Sequence, residues 1–554
     1  MAPRSEHIRG RLVDETGAPL AGLVVEATQP RVVGPDATMA RGRSGEDGAF
    51  ELEIVRTLAQ ELTTMPEVGL VVRDARGVRA LHRTGPLAGA DRSLDAGTIA
   101  IPRADATGWL ARGGRVSGGN AARVLADHEG MDRLLEALEG AREKVTILQL
   151  FLKPDFALAP DEGVPLMQRL KAIAGRGVQV RILVNDNWLA PDDVASIDRA
   201  FADAPNVQAS GFLLTPGVLH AKTVVVDDEV AFVVGQPFQR RFWDTRAHVV
   251  PDPRRGQTMP NHDLTVEVRG PAVRDVGALF AELWNLQAAA KGTVDQRVAP
   301  PAPPPPAGET GMQVTRTLPR QLTAGEPEEG ILEAMLRALA MARRFVYVEN
   351  QYFTNATFVD ALHAAVEAAP EVDFLVVLNE RPDVPFYPTW QKRRLRALGE
   401  HPNLGLFSLW TPGVHQGRRA LAPVYVHSKA IVADDDFAIV GSANLDGIGL
   451  DGAREFALPD AVSIELNVSL LDGIEGFPRT GAAAQARMAL WREHLGLPDE
   501  ALRDPPPGGW LALWRDVAGR NLRRAQAGDL RMQGMALPLH PDLRPSLKFD
   551  LTPG

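Results

Sequence analysis

One short pattern, present twice, limits what this chain can fold into more than any other feature. LHAKTVVVDDEVAFVVGQ carries His220, Lys222 and Asp227, and VYVHSKAIVADDDFAIVGSANLD, roughly 200 residues later, carries His427, Lys429 and Asp434. Both runs are otherwise Val, Ala, Ile and Phe, the composition of buried strand. Residues at i and i+2 of a strand face the same way, so each His-Lys pair is expected to project side by side into one pocket. From residue frequencies alone, an H-x-K-x4-D match arises about one hundredth of a time in such a chain. Two matches, each in a strand pattern and each followed by Gly, are therefore a repeat.

Composition sharpens this. The chain has only eight lysines against 52 arginines, and two of the eight sit in the repeated motif, where a compact ammonium differs from a planar guanidinium. A net charge of −10 and a pI near 5.7 argue against a nucleic-acid partner, since phosphate-backbone binders usually carry a basic face. There is no cysteine, hence no disulfide framework and no thiolate zinc site. The N-terminus, MAPRSEHIRGRLVDETGAPL, lacks the apolar core of a signal peptide, and no stretch approaches a membrane-spanning run. The expectation is a soluble protein, cytoplasmic or exported by a route that needs no cleaved signal, and a monomer with both halves in one chain.

At 554 residues the chain should divide into roughly two to four structural units. Residues 1–103 read as a small all-β sandwich: IRGRLVDETGAPLAGLVVEATQP gives two apolar segments about a turn, and SGEDGAFELEIV and VGLVVRDARGVRAL supply further strands. Its acidic residues Asp14, Glu15, Glu46 and Asp47 are read as turn formers rather than calcium ligands. From about Ala104 helices and strands alternate, the pattern of an α/β sheet flanked by helices. APPAPPPPAGETG, residues 299–311, is a polyproline linker, and after it the helix–strand order recurs. The expected regions are 104–298 for the first half, 312–500 for the second, and 501–554 for a helical extension. In the tail Trp491, Trp510 and Trp514 fall on apolar helix faces, as core.

Phosphate-ester chemistry accounts for the residue types. An imidazole can attack phosphorus and split one hard displacement into two easier ones. A second imidazole can protonate the leaving oxygen and then deprotonate the incoming water or alcohol. Paired lysines neutralise the non-bridging oxygens. This scheme requires no metal and no cofactor. One His-Lys pair supplies half of it, so the two copies are expected to face each other across a pseudo-twofold axis. Asp227 and Asp434, at strand ends, complete the motif and are expected to buttress the strands by hydrogen bonds.

These residues resemble the phospholipase D superfamily, over about Gly119 to Asn521. FWDT (Phe242–Thr245), MPNHD (Met259–Asp263), YVENQYF (Tyr347–Phe353) and LWREHLG (Leu490–Gly496) are similar to segments of its long phospholipases. The resemblance implies two α-β-α halves packed face to face, His220 as the nucleophile, His427 as general acid and base, and Lys222, Lys429 and Asn444 on the phosphoryl oxygens. Ser442 and Gly235 would stand beside them. It further implies that Asp263 and Glu465 orient the two histidines, and Gln351, Tyr352 and Trp243 are candidate pocket lining; His262 reads as a local structural histidine. Two departures adjoin the phosphate site: Val234-Gly235-Gln236-Pro237 lacks the first-half polar side chain, and Asn444-Leu445-Asp446-Gly447 replaces the family's second-half run. The N-terminal region resembles the carboxypeptidase regulatory-like, transthyretin-type sandwich.

The activity implied is hydrolysis of a glycerophospholipid to phosphatidic acid, with alcohol transfer, at a phospholipid membrane surface; VPFYPTWQKRR is a candidate lipid-touching loop. Competing readings are a cardiolipin synthase-type phosphatidyltransferase, disfavoured by the lack of visible membrane helices, and a nuclease, disfavoured by the acidic balance. A third is a delivered lipase effector with the sandwich as adaptor.

Overall fold

The computed structural model describes residues 5–31, 36–55, 67–87, 89–90, 93–187, 189, 193–256, 258–323, 325–415, 417–452, 458 and 460–549. Residues 1–4 and 550–554, the ends of the first and last expected regions, lie outside them.

Two compact units are present. One comprises residues 1–110 with 336–343 and 360–370, the other 111–335, 344–359 and 371–554. In the first, alternation along segments such as HIRGRLV turns one face of each strand inward, and two four-stranded sheets result. Ser5–Val13 lies between Ala49–Val55 and Ser93–Ala100, and Val24–Gln29 lies between Ala37–Arg43 and Gly69–Arg73. Ile8, Leu12, Val25, Phe50, Leu52, Ile54, Leu70 and Val72 form their shared core. Asp14 closes its own turn, accepting the amides of Thr16 and Ala18 at 2.9 Å each.

The second unit has the duplicated α/β fold expected of the repeat, in one 17-stranded mixed sheet. In the first half Val207–Phe212, Gln179–Asn185 and Lys144–Gln149 run parallel, and Thr223–Val226, Val230–Val234 and Leu264–Arg269 follow antiparallel. The second half repeats the order with Leu404–His415, Asp373–Leu378, Phe345–Asn350, then Ala430–Ala433, Phe437–Gly441 and Glu465–Leu471. The long strand Arg115–Ala126 pairs with Leu264–Arg269 through one end and with Thr310–Leu318 through the other, joining the halves. The motif strands are buried on both faces, with every residue of TVVV, VAFVV, AIVA and FAIVG inaccessible, which is why they read as unbroken apolar runs rather than alternations. Trp491, Trp510 and Trp514, on helices Ala482–Leu495 and Gly509–Gln526, are buried, with the Trp491 ring against both of the others.

Candidate active site

Each motif enters the sheet with its His and Lys just ahead of the ladder, which starts at Thr223 and at Ala430. The reason is a competing pairing. The amides of His220 and Ala221 donate to the carbonyl of Ile464 (3.0 and 2.7 Å), and those of His427 and Ser428 to the carbonyl of His262 (2.8 and 3.1 Å). Each motif is therefore sewn to the residue that precedes the other half's carboxylate. The consequence is a crossover: Glu465, from the second half, lies 2.9 Å from His220 Nδ1, and Asp263, from the first, lies 2.6 Å from His427 Nδ1. Where the facing carboxylate is ionised and Nδ1–H donates to it, Nε2 is the free nitrogen of the ring. His220 is 12% exposed, His427 5%.

Both lysines are buried, and each ammonium donates back to the carbonyl of its own histidine. Lys429 Nζ also reaches Gln351 Oε1 at 3.2 Å and His427 Nδ1 at 3.1 Å. Burial pushes Lys222 down to about 7, with Lys429 adding to it, and burial pushes Lys429 down to about 8. Burial and the lysine charges likewise hold His220 well below the ordinary histidine range and His427 at about 3. Each lysine acts on both histidines, so the four groups share one field. Burial raises Glu465 to about 8 against the pull of Lys222, whereas Asp263, although buried, is held below the usual carboxylate range by His427 and Lys429.

This electrostatic balance gives a first testable result. A bound anion keeps both lysine protons, so anion affinity is full below about pH 7 and falls as pH rises through the empty-site lysine values of about 7 and 8; ionisation of Glu465 near 8 works in the same direction. The loss should approach about tenfold per pH unit for each titrated lysine. Calorimetric titration with a phosphodiester of fixed charge between pH 6 and 9 measures it. A flat profile contradicts the assignment of both ammonium groups to the anion site.

The remaining sequence candidates separate into three groups. Asn444 is 6% exposed and its acceptor Oδ1 has no hydrogen-bond partner, so nothing on that atom fixes which way the amide turns. Ser442 and Gly235, read as phosphate binders, are committed elsewhere, and that reading is corrected. The Ser442 hydroxyl donates to Glu465 and accepts the Leu466 amide at 3.1 Å. A Cβ on Gly235 would stand 1.9 Å from Asp263 Oδ1, so this glycine exists to admit the carboxylate. Asp227 and Asp434, the third members of the motifs, hold strands rather than substrate. Both have left-handed backbone (φ 53° and 58°), a region Asp tolerates better than most residues. Asp227 accepts the amides of Arg142, Glu143 and Lys144 (2.9, 2.8 and 2.9 Å), and Asp434 those of Arg344 and Phe345 (2.7 and 2.9 Å), anchoring the neighbouring strand of each half.

Trp243, read as pocket lining, is corrected as well: it is packed in the first-half core with Nε1 donating to the Leu158 carbonyl at 3.0 Å. Its neighbour Phe242 instead lies against the His427 ring, centroids 4.8 Å apart. Gln351, which meets Lys429, belongs to a network with Tyr352, Tyr425 and Asp383: both tyrosine hydroxyls donate to Asp383, at 2.7 and 2.6 Å, and Gln351 Nε2 donates to both hydroxyls. Tyr425, two residues before His427, was within reach of the alternation argument; no spacing in the sequence points to Asp383 or Phe242.

The family profile described as "Cardiolipin synthase, PLD-like domain" matches twice, at residues 134–248 and 335–461, and the profile "Phospholipase D" matches residues 407–535. Phospholipase D A of Dictyostelium discoideum is 25% identical over 65% of this chain and 34% of its own length, and Phospholipase D alpha 2 of Arabidopsis thaliana 24% identical over 45% and 42%. The chain thus spans well under half the length of these relatives. Among solved structures, phosphatidylserine synthase of Haemophilus influenzae Rd KW20 superposes with a TM-score of 0.44 at 13% identity, over 63% of this chain and 82% of that one. With one profile match in each pseudo-symmetric half, and the two histidine-lysine pairs brought together between them, the chain is a member of the phospholipase D superfamily with two phospholipase D-like domains.

Proposed function

We propose that the protein is a phospholipase D, cleaving the distal phosphodiester of a glycerophospholipid to phosphatidic acid and a free head-group alcohol, and transferring the phosphatidyl group to other alcohols. The observation that carries the reading is the crossed pair of carboxylate-oriented imidazoles, each beside a buried lysine. His220 Nε2 attacks phosphorus; the P–N bond forms as the bond to the head-group oxygen breaks, and His427 Nε2–H protonates that oxygen. In the empty site both imidazoles are neutral, and the diester's negative charge offsets the lysines and favours the imidazolium of His427. Water or an alcohol then gives its proton to His427 and displaces His220 from phosphorus. Lys222, Lys429 and Asn444 carry the non-bridging oxygens.

Support for a lipid substrate comes from the names of the relatives and from the surface near Tyr352 and Tyr425. Phe386 is 66% exposed at the start of helix Tyr387–Leu398, stacked near Trp390, and Lys392, Arg393 and Arg396 on the same helix are exposed. An aromatic tip with a basic collar suits an anionic bilayer surface. Phe386→Asp should lower turnover on vesicles about tenfold while leaving turnover of a short-chain soluble phospholipid within twofold; equal loss on both rejects the membrane role. A phosphatidyltransferase reading is favoured by the double match to the cardiolipin synthase-type profile. Incubation with phosphatidylcholine, phosphatidylethanolamine and phosphatidylglycerol vesicles, with and without added alcohol, separates the two. Phosphatidic acid from any of them supports hydrolysis, cardiolipin from phosphatidylglycerol alone supports transfer, and no product from folded protein removes both.

A further inference from the structure

Four segments that resemble the long phospholipases, FWDT, MPNHD, YVENQYF and LWREHLG, leave most of their charged side chains unused by the chemistry above. Asp244, His262, Glu349, Glu493 and His494 among them converge behind the active site, where Asp127 and His248 join them. Asp127, His248, His262 and Glu493 bring one ligand atom each to within 4.8 Å of one another. The separations are 2.8 Å between His248 Nε2 and Glu493 Oε1, 3.1 Å between His262 Nδ1 and Glu493 Oε1, 3.3 Å between His262 Nδ1 and Asp127 Oδ1, and 3.7 Å between His248 Nε2 and Asp127 Oδ2. A tetrahedral zinc ion with ligand bonds of about 2.0–2.1 Å requires ligand atoms about 3.3 Å apart. Four of the six edges are approximated by these separations, with Asp127 represented by Oδ1 in one and Oδ2 in the other, and they run from 2.8 to 3.7 Å about that value.

Three further observations point to a ligand. His262 is wholly buried, yet neither of its ring nitrogens makes an aligned hydrogen bond, and Asp127 Oδ2 is likewise buried without a partner. The far nitrogen of each histidine faces a second carboxylate: His248 Nδ1 lies 3.0 Å from Asp244 Oδ2, and His262 Nε2 lies 3.1 Å from Glu349 Oε1. Carboxylate–imidazole–metal chains of this kind fix the tautomer of ligand histidines. Charge also balances. The buried carboxylates Asp127, Asp244, Glu349 and Glu493 meet the guanidinium groups of Arg255 and of Arg246, which is shared with the partly exposed Glu129, so at least two negative charges remain for a divalent cation, or imidazole protons, to cancel. A second set, His262, Glu349 and His494, offers three ligands, but Glu349 already accepts from Tyr347 and Ser428. Glu493 lines an open cleft with Arg246, Val250 and Met535, a path by which an ion can enter.

We infer that Asp127, His248, His262 and Glu493 form a structural site for a divalent transition metal, zinc by its two imidazole and two carboxylate ligands, in place of two histidine protons. The site stands behind the catalytic groups: Asp127 Oδ1 accepts the Asp263 amide at 3.0 Å, and the His262 carbonyl accepts the amides of His427 and Ser428. The metal would hold the platform on which Asp263 and His427 sit, with no part in the phosphoryl transfer itself.

Elemental analysis of the tag-free full chain tests this. About one zinc per chain is expected, retained in His427→Asn and lost in Glu493→Gln and His248→Asn. Because a ligand variant can unfold, the unaltered chain is also stripped with a chelator and reloaded. Stripping should lower the melting temperature by about 5 °C or more and zinc should restore it, and cobalt loading should give the visible absorption of a tetrahedral N/O site. A metal-free chain whose melting temperature ignores both chelator and added zinc overturns the proposal and leaves the cluster as an ion-pair network with protonated histidines. So does zinc binding that persists in folded Glu493→Gln and His248→Asn. These readouts are independent of lipid turnover, so the site stands or falls apart from the proposed activity.

Discussion

His220→Asn and His427→Asn should each reduce turnover of a phospholipid by at least about 10³-fold, and they should do so at different steps. Removing a general acid and base costs about 10²–10⁴, and removing the nucleophile closes the covalent route altogether. The distinction appears with an aryl phosphodiester whose leaving group needs no proton. With it, His427→Asn should release the aryl alcohol in a burst and then stall, because the P–N bond forms but no base activates water; the phosphoryl adduct accumulates on His220. His220→Asn should show neither burst nor adduct. Rapid quench and peptide mapping read both outcomes. An adduct on His427 in the unaltered protein would exchange the two roles, and stoichiometric product from His220→Asn would reject the covalent mechanism.

The sequence was most legible where one residue type has one use. Histidine and lysine at i and i+2 in a lysine-poor chain stated the site, and the recurrence of helix and strand stated the duplicated sheet. The third member of the motif was legible only as an aspartate near a strand end. Its true work, capping amides of the neighbouring strand from a left-handed backbone, depends on which strand lies alongside, and that is a tertiary fact. Ser442 and Gly235 were misread for the same reason. Both follow the motif strands at equivalent positions, where a phosphate cradle was expected, but what fills the space is the carboxylate of the same half, on its way to the other half's histidine. Asp383 carried no signal at all, and Phe242 only as the first residue of FWDT, since both reach the site from connections whose course the sheet decides.

The crossover makes Gly235 the position at which a single carbon atom should do most damage. Its backbone is not in the left-handed region, so alanine is conformationally acceptable there; the obstacle is Asp263 Oδ1, 1.9 Å from where the Cβ would lie, with the Leu264 carbonyl at 2.8 Å. Asp263 must withdraw, and His427 then loses the acceptor that fixes Nδ1–H and leaves Nε2 facing the substrate. Gly235→Ala is expected to lower kcat by about 10²–10⁴-fold, the scale seen when an orienting carboxylate is lost from a catalytic histidine, while overpacking costs about 1–3 kcal/mol of stability. Asp263→Asn, which keeps the volume but reverses one hydrogen bond, should match it in kcat with a smaller stability loss. Ser442→Gly, the equivalent position in the other half, removes the hydroxyl that donates to Glu465 and accepts the Leu466 amide and should cost about tenfold. KM should change little in all three, because the lysines and Asn444 stay in place. If folded Gly235→Ala keeps kcat within threefold of the parent, or if its loss appears in KM alone, Asp263 is not what positions His427, and the two halves are coupled by packing rather than by exchanged carboxylates.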